Sequence, residues 1–260
     1  MPPSSVHVPR RPLVVATGNP GKLLEFRALL ADLPFDIHSL CELGIASPEE
    51  TGASFLENAL LKARHAAAAA ARLHGAMAPG CAAIADDSGL EVDALDAAPG
   101  VFSARFAGPG ADDVANNAKL RGALAGVPTE QRGARYRCVL AFVASADDTA
   151  PLIAQGTWEG RILDAPRGSG GFGYDPYFWL AELGVTAAQL DLERKNRLSH
   201  RGKAMRALRD LLMAREQRPA RDGLVPGGGP SLPLGDATSP GDGTSAGAGA
   251  AMGNQSGSCP

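Results

Sequence analysis

"VVATGNPGKLLEFRALL", residues 14–30, is where the fold class is decided. Leu13–Ala16 is apolar and reads as a buried strand, and Asn19–Ala31 carries leucines at helical spacing and reads as a helix. The junction is not a P-loop, which needs two glycines five positions apart followed by Lys-Ser or Lys-Thr. Here Gly18 and Gly21 are three positions apart, and Leu23 follows Lys22. Asn19 is a favoured N-cap and Pro20 a favoured first helical residue, so the helix starts directly after Thr17-Gly18. Gly18 lets a ligand approach the backbone closely. The first-turn N–H groups attract an anion, and Lys22 can place its ammonium over the same point. The plain alternative is an ordinary strand–turn–helix cap with Lys22 in solvent.

Outward from that junction, Phe35–His38 reads as a short strand. Ser54-Phe-Leu-Glu57 has the capping-box pattern and opens a long Ala-rich helix that Gly75 to Gly80 breaks. Ala82–Ala85 is a strand candidate, followed by "DDSG" and then Leu90–Val92. A Pro/Gly-rich stretch at 99–110 precedes a helix beginning near Asp112. Strand-like runs occupy 134–145 and 151–158. The loop "APRGSGGFGYDP" leads to a short strand at Tyr177–Trp179, and an amphipathic helix follows Ser199. Helices and strands interleave without strict βαβ regularity, which predicts a mixed-sheet α/β fold.

The 260 residues hold enough apolar material for one sizeable core or two small lobes. The formal net charge of −3, with no Lys/Arg-rich run, gives no electrostatic footprint for nucleic acid. Cys41, Cys81, Cys138 and Cys259 form no Cys-x-x-Cys pair and read as reduced thiols of a cytoplasmic protein. The N-terminus has no apolar h-region, and the run "AAAAAA" at 66–71 is too short to span a bilayer. Residues 217–260, rich in Gly, Pro, Ser and Ala, read as a disordered tail. The expected division is a flexible extension at 1–11, one folded domain at 12–216, and the tail.

Two acidic segments are candidates for a hard cation such as Mg²⁺, which takes carboxylate, phosphate and water oxygens. "ADDSG" places Asp86 and Asp87 directly after a strand-like run, where open α/β sheets bind ligands, and Glu50 ends a loop before a capped helix. Glu50 with Asp87 or Asp86 would form the pair, provided the two loops meet; the simpler reading of Asp-Asp-Ser-Gly is a turn. Asn58 and Lys62 share a helix face, which reads plainly as a polar outer face. In "GSGGFGYDP", 168–176, glycines surround Phe172 and Tyr174, aromatic faces on which a nucleobase can stack. In "KNRLSHRGK", 195–203, Ser199 is an N-cap that places His200 and Arg201 at a helix N-terminus. Cations are disfavoured there unless an anion faces them.

The stretches "ATGNPGK", "EETGASFLENALLKARHAA", "AIADDSGLEVDALDAAPGVFSARFAG", "GGFGYDPYF" and "KNRLSHRGKA" resemble, in this order, the inosine/xanthosine triphosphate pyrophosphatase family, the Ham1-like enzymes acting on deaminated purine nucleotides. They cover most of residues 13–212. The resemblance implies a two-lobed mixed-sheet ITPase/Maf-like fold, a homodimer, with a Mg²⁺-dependent active site in a central cleft. It implies attack of water on the α-phosphate of ITP, dITP or XTP, giving the monophosphate and pyrophosphate. By the same resemblance Thr17, Gly18, Asn19, Pro20, Gly21 and Lys22 form the triphosphate-binding turn, Glu50 and Asp87 hold the metal, and Asp87 accepts the proton. Ser88, Phe172, Gly173, Tyr174, Asp175, Lys195, His200 and Arg201 contact substrate, with Lys62 and Asp86 as further candidates near the phosphates. Phe102 and Phe106 stand where the family often has tyrosine, so a hydroxyl role there is lost. The rivals are a Maf-like pyrophosphatase of different base specificity and a nucleotide-binding module that does not hydrolyse; no nucleic-acid or membrane partner is expected.

Overall fold

The computed structural model describes residues 10–17, 20–73 and 81–217. Gly18, Asn19, the helix break after residue 73 and the tail beyond residue 217 therefore lie outside the described residues. The first strand spans Arg11–Val15, starting two residues earlier and ending one residue earlier than the sequence predicts.

Seven strands form one mixed sheet in the order β2-β1-β3-β4-β5-β6-β7. They are β1 (Arg11–Val15), β2 (Phe35–Ser39), β3 (Ala82–Val92), β4 (Gly133–Val143), β5 (Leu152–Ile162), β6 (Phe178–Leu180) and β7 (Val185–Thr186). The helices are α1 (Pro20–Leu29), α2 (Phe55–Leu73), α3 (Asp113–Ala123), α4 (Leu192–Leu198) and α5 (His200–Glu216). β1 lies parallel to both β2 and β3, and the remaining pairings are antiparallel.

Sequence period explains which helix covers which face. Leu23 and Phe26 of α1, Leu30 just past its end, and Ala204, Met205, Leu208 and Leu212 of α5 are buried against Leu13, Val15, Ile84 and Leu140. The opposite residues of the same strands, Val14, Ala83, Ala85, Val139 and Ala141, meet a stripe of Ala59, Ala63, Ala66, Ala67 and Ala70 on α2. Small residues on both sides let this helix lie close to the sheet, where dispersion contacts are dense. The far halves of β3, β4 and β5 enter a separate core, built on Leu90, Leu120, Tyr136, Trp158 and Phe178. The three long strands thus run from one lobe into the other.

Two readings change here. "DDSG" is not a turn: β3 runs unbroken through it, with Asp86 opposite Leu140, Asp87 opposite Val139 and Ser88 opposite Cys138. Gly89 lets the 100–105 turn pack directly on this strand, since a Cβ there would collide with Gly100 O and stand 2.5 Å from Ser103 Oγ. In the capping box, Ser54 Oγ does accept from the Glu57 N–H at 3.2 Å, but the Glu57 carboxylate accepts from the Ala53 N–H, one residue before the N-cap.

Candidate active site

β1 pairs with β3 only as far as Val15 opposite Ile84, whereas β3 continues to Val92. Beyond the end of β1 its edge is therefore open. The chain leaves β1 for α1 on one face of the sheet and reaches β3 from α2 on the other. The carboxyl end of β1 is thus a switch point, where open α/β sheets form their ligand crevice. A cleft of about 1210 Å³ opens there, reaching Thr17, Lys22, Glu50, Asp86, Phe172 and His200.

Strand alternation sends the adjacent aspartates to opposite faces. Asp86, with a side chain 2% exposed, faces α1 and α5: Lys22 Nζ is 2.7 Å away, Arg201 Nε 3.8 Å away, and Ser88 Oγ donates to it at 3.2 Å. Burial opposes its ionisation, but the Lys22 and Arg201 charges outweigh burial and hold its pKa well below the usual carboxylate range. Asp86 is the anion that the cationic start of α5 requires. Asp87 faces α2, where Asn58 Nδ2 donates to Oδ2 and Lys62 Nζ to Oδ1, each at 3.1 Å. Burial, aided by the Glu50 charge, raises its pKa against the pull of Lys62 and Asn58. So the Asn58–Lys62 face points inward: Asn58 is fully buried, and its Oδ1 accepts from the Gly52 N–H at 2.8 Å.

Glu50 meets the same lysine, with Lys62 Nζ 2.7 Å from Oε1, and Arg105 Nη1 lies 3.3 Å from Oε2. Burial works against the Lys62 ammonium, yet Asp87, Asp86 and Glu50 together raise its pKa. One cation therefore sits between the two predicted ligand carboxylates, marking where they focus negative potential. Among the described residues no three His, Cys, Asp or Glu side chains cluster as a self-sufficient metal site. A carboxylate pair completed by phosphate and water oxygens is the usual Mg²⁺ arrangement, so the residues present fit a hard cation held by Glu50 and Asp87.

The glycine loop forms the opposite wall. Phe172 is 57% exposed, with Lys195 Nζ 4.7 Å and Arg201 Cζ 5.8 Å from its ring centre. Tyr174 instead turns into the core and donates its hydroxyl to Ser103 O at 2.7 Å, so only Phe172 offers an open face. Asp175 is buried. It is paired with Lys195 and accepts from Tyr136 Oη at 3.2 Å and from the Phe172 N–H at 3.0 Å. A Cβ on Gly171 would collide with its Oδ2, which explains that glycine. Ser199 caps α5 as expected, accepting from the Gly202 N–H at 3.2 Å. His200 stacks on Tyr136, ring centres 4.8 Å apart. Burial and the neighbouring Arg201 and Lys195 charges push its pKa well below the ordinary value, so its ring is neutral. His200 Nδ1 and Arg201 Nε are buried with no hydrogen-bond partner among the described residues, and buried groups of this kind call for a ligand or water.

Of the predicted triphosphate turn, Thr17 is buried at the end of β1, Pro20 and Gly21 open α1, and Lys22 faces Asp86. Glu25, Arg105, Asp113 and Tyr136 also line the cleft and were not picked out from the sequence. Glu25 was within reach, three residues past Lys22 and so on its face of α1. Burial raises the Glu25 carboxyl pKa despite the Arg201, Lys195 and Lys22 charges around it.

The dITP/XTP pyrophosphatase of Methylococcus capsulatus is 55% identical over 205 residues, spanning 79% of this chain and 98% of that protein. The dITP/XTP pyrophosphatase of Yersinia pseudotuberculosis is 51% identical over 200 residues, 77% of this chain and 97% of its own length. The solved structure of a HAM1 protein from Coxiella burnetii superposes with a TM-score of 0.71 at 43% identity, covering 78% of this chain and 99% of that one. The sequence profile of the Ham1 family matches residues 13–211, a span containing every cleft residue named above, and the chain belongs to that family.

Proposed function

We propose that residues 12–216 form a pyrophosphatase that hydrolyses deaminated purine nucleoside triphosphates, ITP, dITP and XTP, to the monophosphate and pyrophosphate. The observation that carries this reading is the joining, in one cleft, of a cation-flanked open aromatic face at Phe172 with Glu50 and Lys62, the lysine that also bonds Asp87 behind the cleft wall. Relatives at about half identity that are dITP/XTP pyrophosphatases support the substrate class. Glu50 and Asp87 would hold Mg²⁺, which supplies charge neutralisation at the phosphate oxygens when bound.

In this reading Lys22, Lys62 and Lys195 offset triphosphate charge that grows in the transition state. Asp87, braced by Asn58, takes the proton from the water that attacks the α-phosphorus. The bond to the bridging oxygen breaks as the new P–O bond forms, and pyrophosphate departs with that electron pair. Phe172 stacks on the purine, and donors on Arg201 and the start of α5 meet the C6 carbonyl oxygen. ATP would instead set an amino group against those donors. An unpaired buried group costs roughly 1–3 kcal/mol, and two or three together give about 10²–10⁴-fold discrimination. A cytoplasmic homodimer is the proposed working form.

A panel of nucleoside triphosphates, assayed by phosphate release with coupled inorganic pyrophosphatase, tests the proposal. kcat/KM for ITP, dITP and XTP should far exceed that for ATP, with GTP intermediate or low. ATP hydrolysed as efficiently as ITP would replace this reading with a general triphosphate pyrophosphatase.

A further inference from the structure

Behind the glycine loop, α3 grips one residue of it. Asp113 Oδ2 accepts from the Gly173 N–H at 2.6 Å, and Asn117 Nδ2 donates to the Gly173 carbonyl at 2.8 Å. The two side chains are four residues apart and share one face of α3. Asn117 is buried, and its Nδ2 also donates to Asp113 O at 2.8 Å, which fixes the second prong to the helix. From the cleft side, Asp175 Oδ2 accepts from the Phe172 N–H. The Phe172 and Gly173 N–H groups are thus tied to two different carboxylates, Asp175 in the turn before β6 and Asp113 on α3. Gly173 has a φ of +62°, a conformation that favours glycine, so the chain here has no stiffness of its own and takes its shape from these ties.

We infer that Asp113 and Asn117 are positioning residues for base recognition: α3 sets the pose of Phe172 and through it the affinity for the purine. The inference rests on the proposed triphosphate pyrophosphatase activity. It predicts an effect confined to the base end of the substrate, because the Glu50–Lys62–Asp87 cluster is built on other elements. A clamp that served only the fold would lower stability without separating base from phosphate.

The test compares wild type with Asp113→Ala, Asp113→Asn and Asn117→Ala by calorimetric binding of two probes, a non-hydrolysable α,β-methylene inosine triphosphate and inorganic tripolyphosphate. Asp113 is exposed, so its truncation leaves the core intact. Loss of a charge-assisted hydrogen bond should weaken the inosine probe about 5–10-fold in Asp113→Ala, and about 3–10-fold in Asn117→Ala. Asp113→Asn keeps an acceptor for the Gly173 N–H and should stay within about threefold of wild type. Tripolyphosphate affinity should stay within about twofold throughout, and KM for ITP should rise more than kcat falls. Equal weakening of both probes, or inosine affinity unchanged in both alanine variants, overturns the inference while leaving the activity standing. A wild-type protein that neither binds the inosine probe nor hydrolyses ITP overturns the underlying reading, and the inference with it.

Discussion

Replacing Asp86 by Asn should unfold this protein far more readily than the same change one residue later. The Asp86 side chain is 2% exposed, and the cations it faces, Lys22 and Arg201, are 23% and 12% exposed. The amide removes a negative charge bonded to Lys22 and leaves both cations against a neutral group. Removing one partner of a buried pair costs roughly 3–5 kcal/mol, and the partial hydration of Lys22 argues for the lower end, about 3 kcal/mol. For a domain of this size that is a fall in Tm of about 6–12 °C. The lowered pKa fixes the pH window. A depressed carboxyl contributes stability above its unfolded pKa and loses it as pH falls through the folded value. The gap between wild type and Asp86→Asn should therefore be constant from about pH 5 to 8 and close only below about pH 4. Asp87 has the opposite sign: its pKa is raised, so at neutral pH its ionised form is a cost to folding that Asn removes. In metal-free buffer Asp87→Asn should lie within about 1 kcal/mol of wild type, yet lose on the order of 10²-fold or more in turnover. Differential scanning calorimetry across pH, paired with ITP turnover, reads both. A Tm for Asp86→Asn within 2–3 °C of wild type, or a larger fall for Asp87→Asn, would refute the assignment of the two carboxylates to different duties.

Four further outcomes are expected. Gly156→Ala should destabilise by about 1–3 kcal/mol, because its Cβ would strike His200 O and stand 2.7 Å from Ala204 N where α5 crosses β5; chemical denaturation measures it. His200 should remain neutral in ¹⁵N spectra at pH 6, and because its folded pKa is depressed, stability should decline as pH falls below about 6.5; a His200→Gln variant should flatten that slope. Chelation with EDTA should abolish ITP hydrolysis and Mg²⁺ should restore it, and undiminished turnover in excess EDTA would remove Glu50 and Asp87 from metal binding. Deleting residues 218–260 should leave Tm and turnover unchanged, since α5 ends at Glu216 and the family match at residue 211.

Periodicity and capping chemistry made most elements legible. Pro20 opens α1, Asp112 caps α3 by accepting from the Ala115 N–H, and Ser199 caps α5, each as its residue type predicts. β3 was misread because the partners that make Asp86 and Asp87 tolerable inside a strand are remote: Lys22 and Arg201 for one, Asn58 and Lys62 for the other. No local pattern announces a pair of buried carboxylates whose partners are supplied by three different helices. The inward turn of Asn58 was hidden for the same reason. α4 has no counterpart in the sequence reading, although Asp191 accepts from the Arg194 N–H at 2.7 Å and is an ordinary N-cap. Thr186 and Gln189 close a capping box that the T-x-x-Q spacing offered.

The alternation that separates Asp86 from Asp87 makes β3 intolerant of odd arithmetic. Inserting or deleting one residue between Ile84 and Asp86 would turn the first carboxylate toward Lys62 and the second toward Lys22, while sending Leu90 out of its core. Chemistry and packing would fail in one step, with neither able to be rescued by changing a side chain. Length changes in this fold are therefore confined to connections that leave β3 in phase with β4, such as the segment joining α2 to β3 or the 144–151 turn between β4 and β5. A chain with altered spacing there can keep its site; one with a single residue gained inside β3 can keep neither its site nor its sheet.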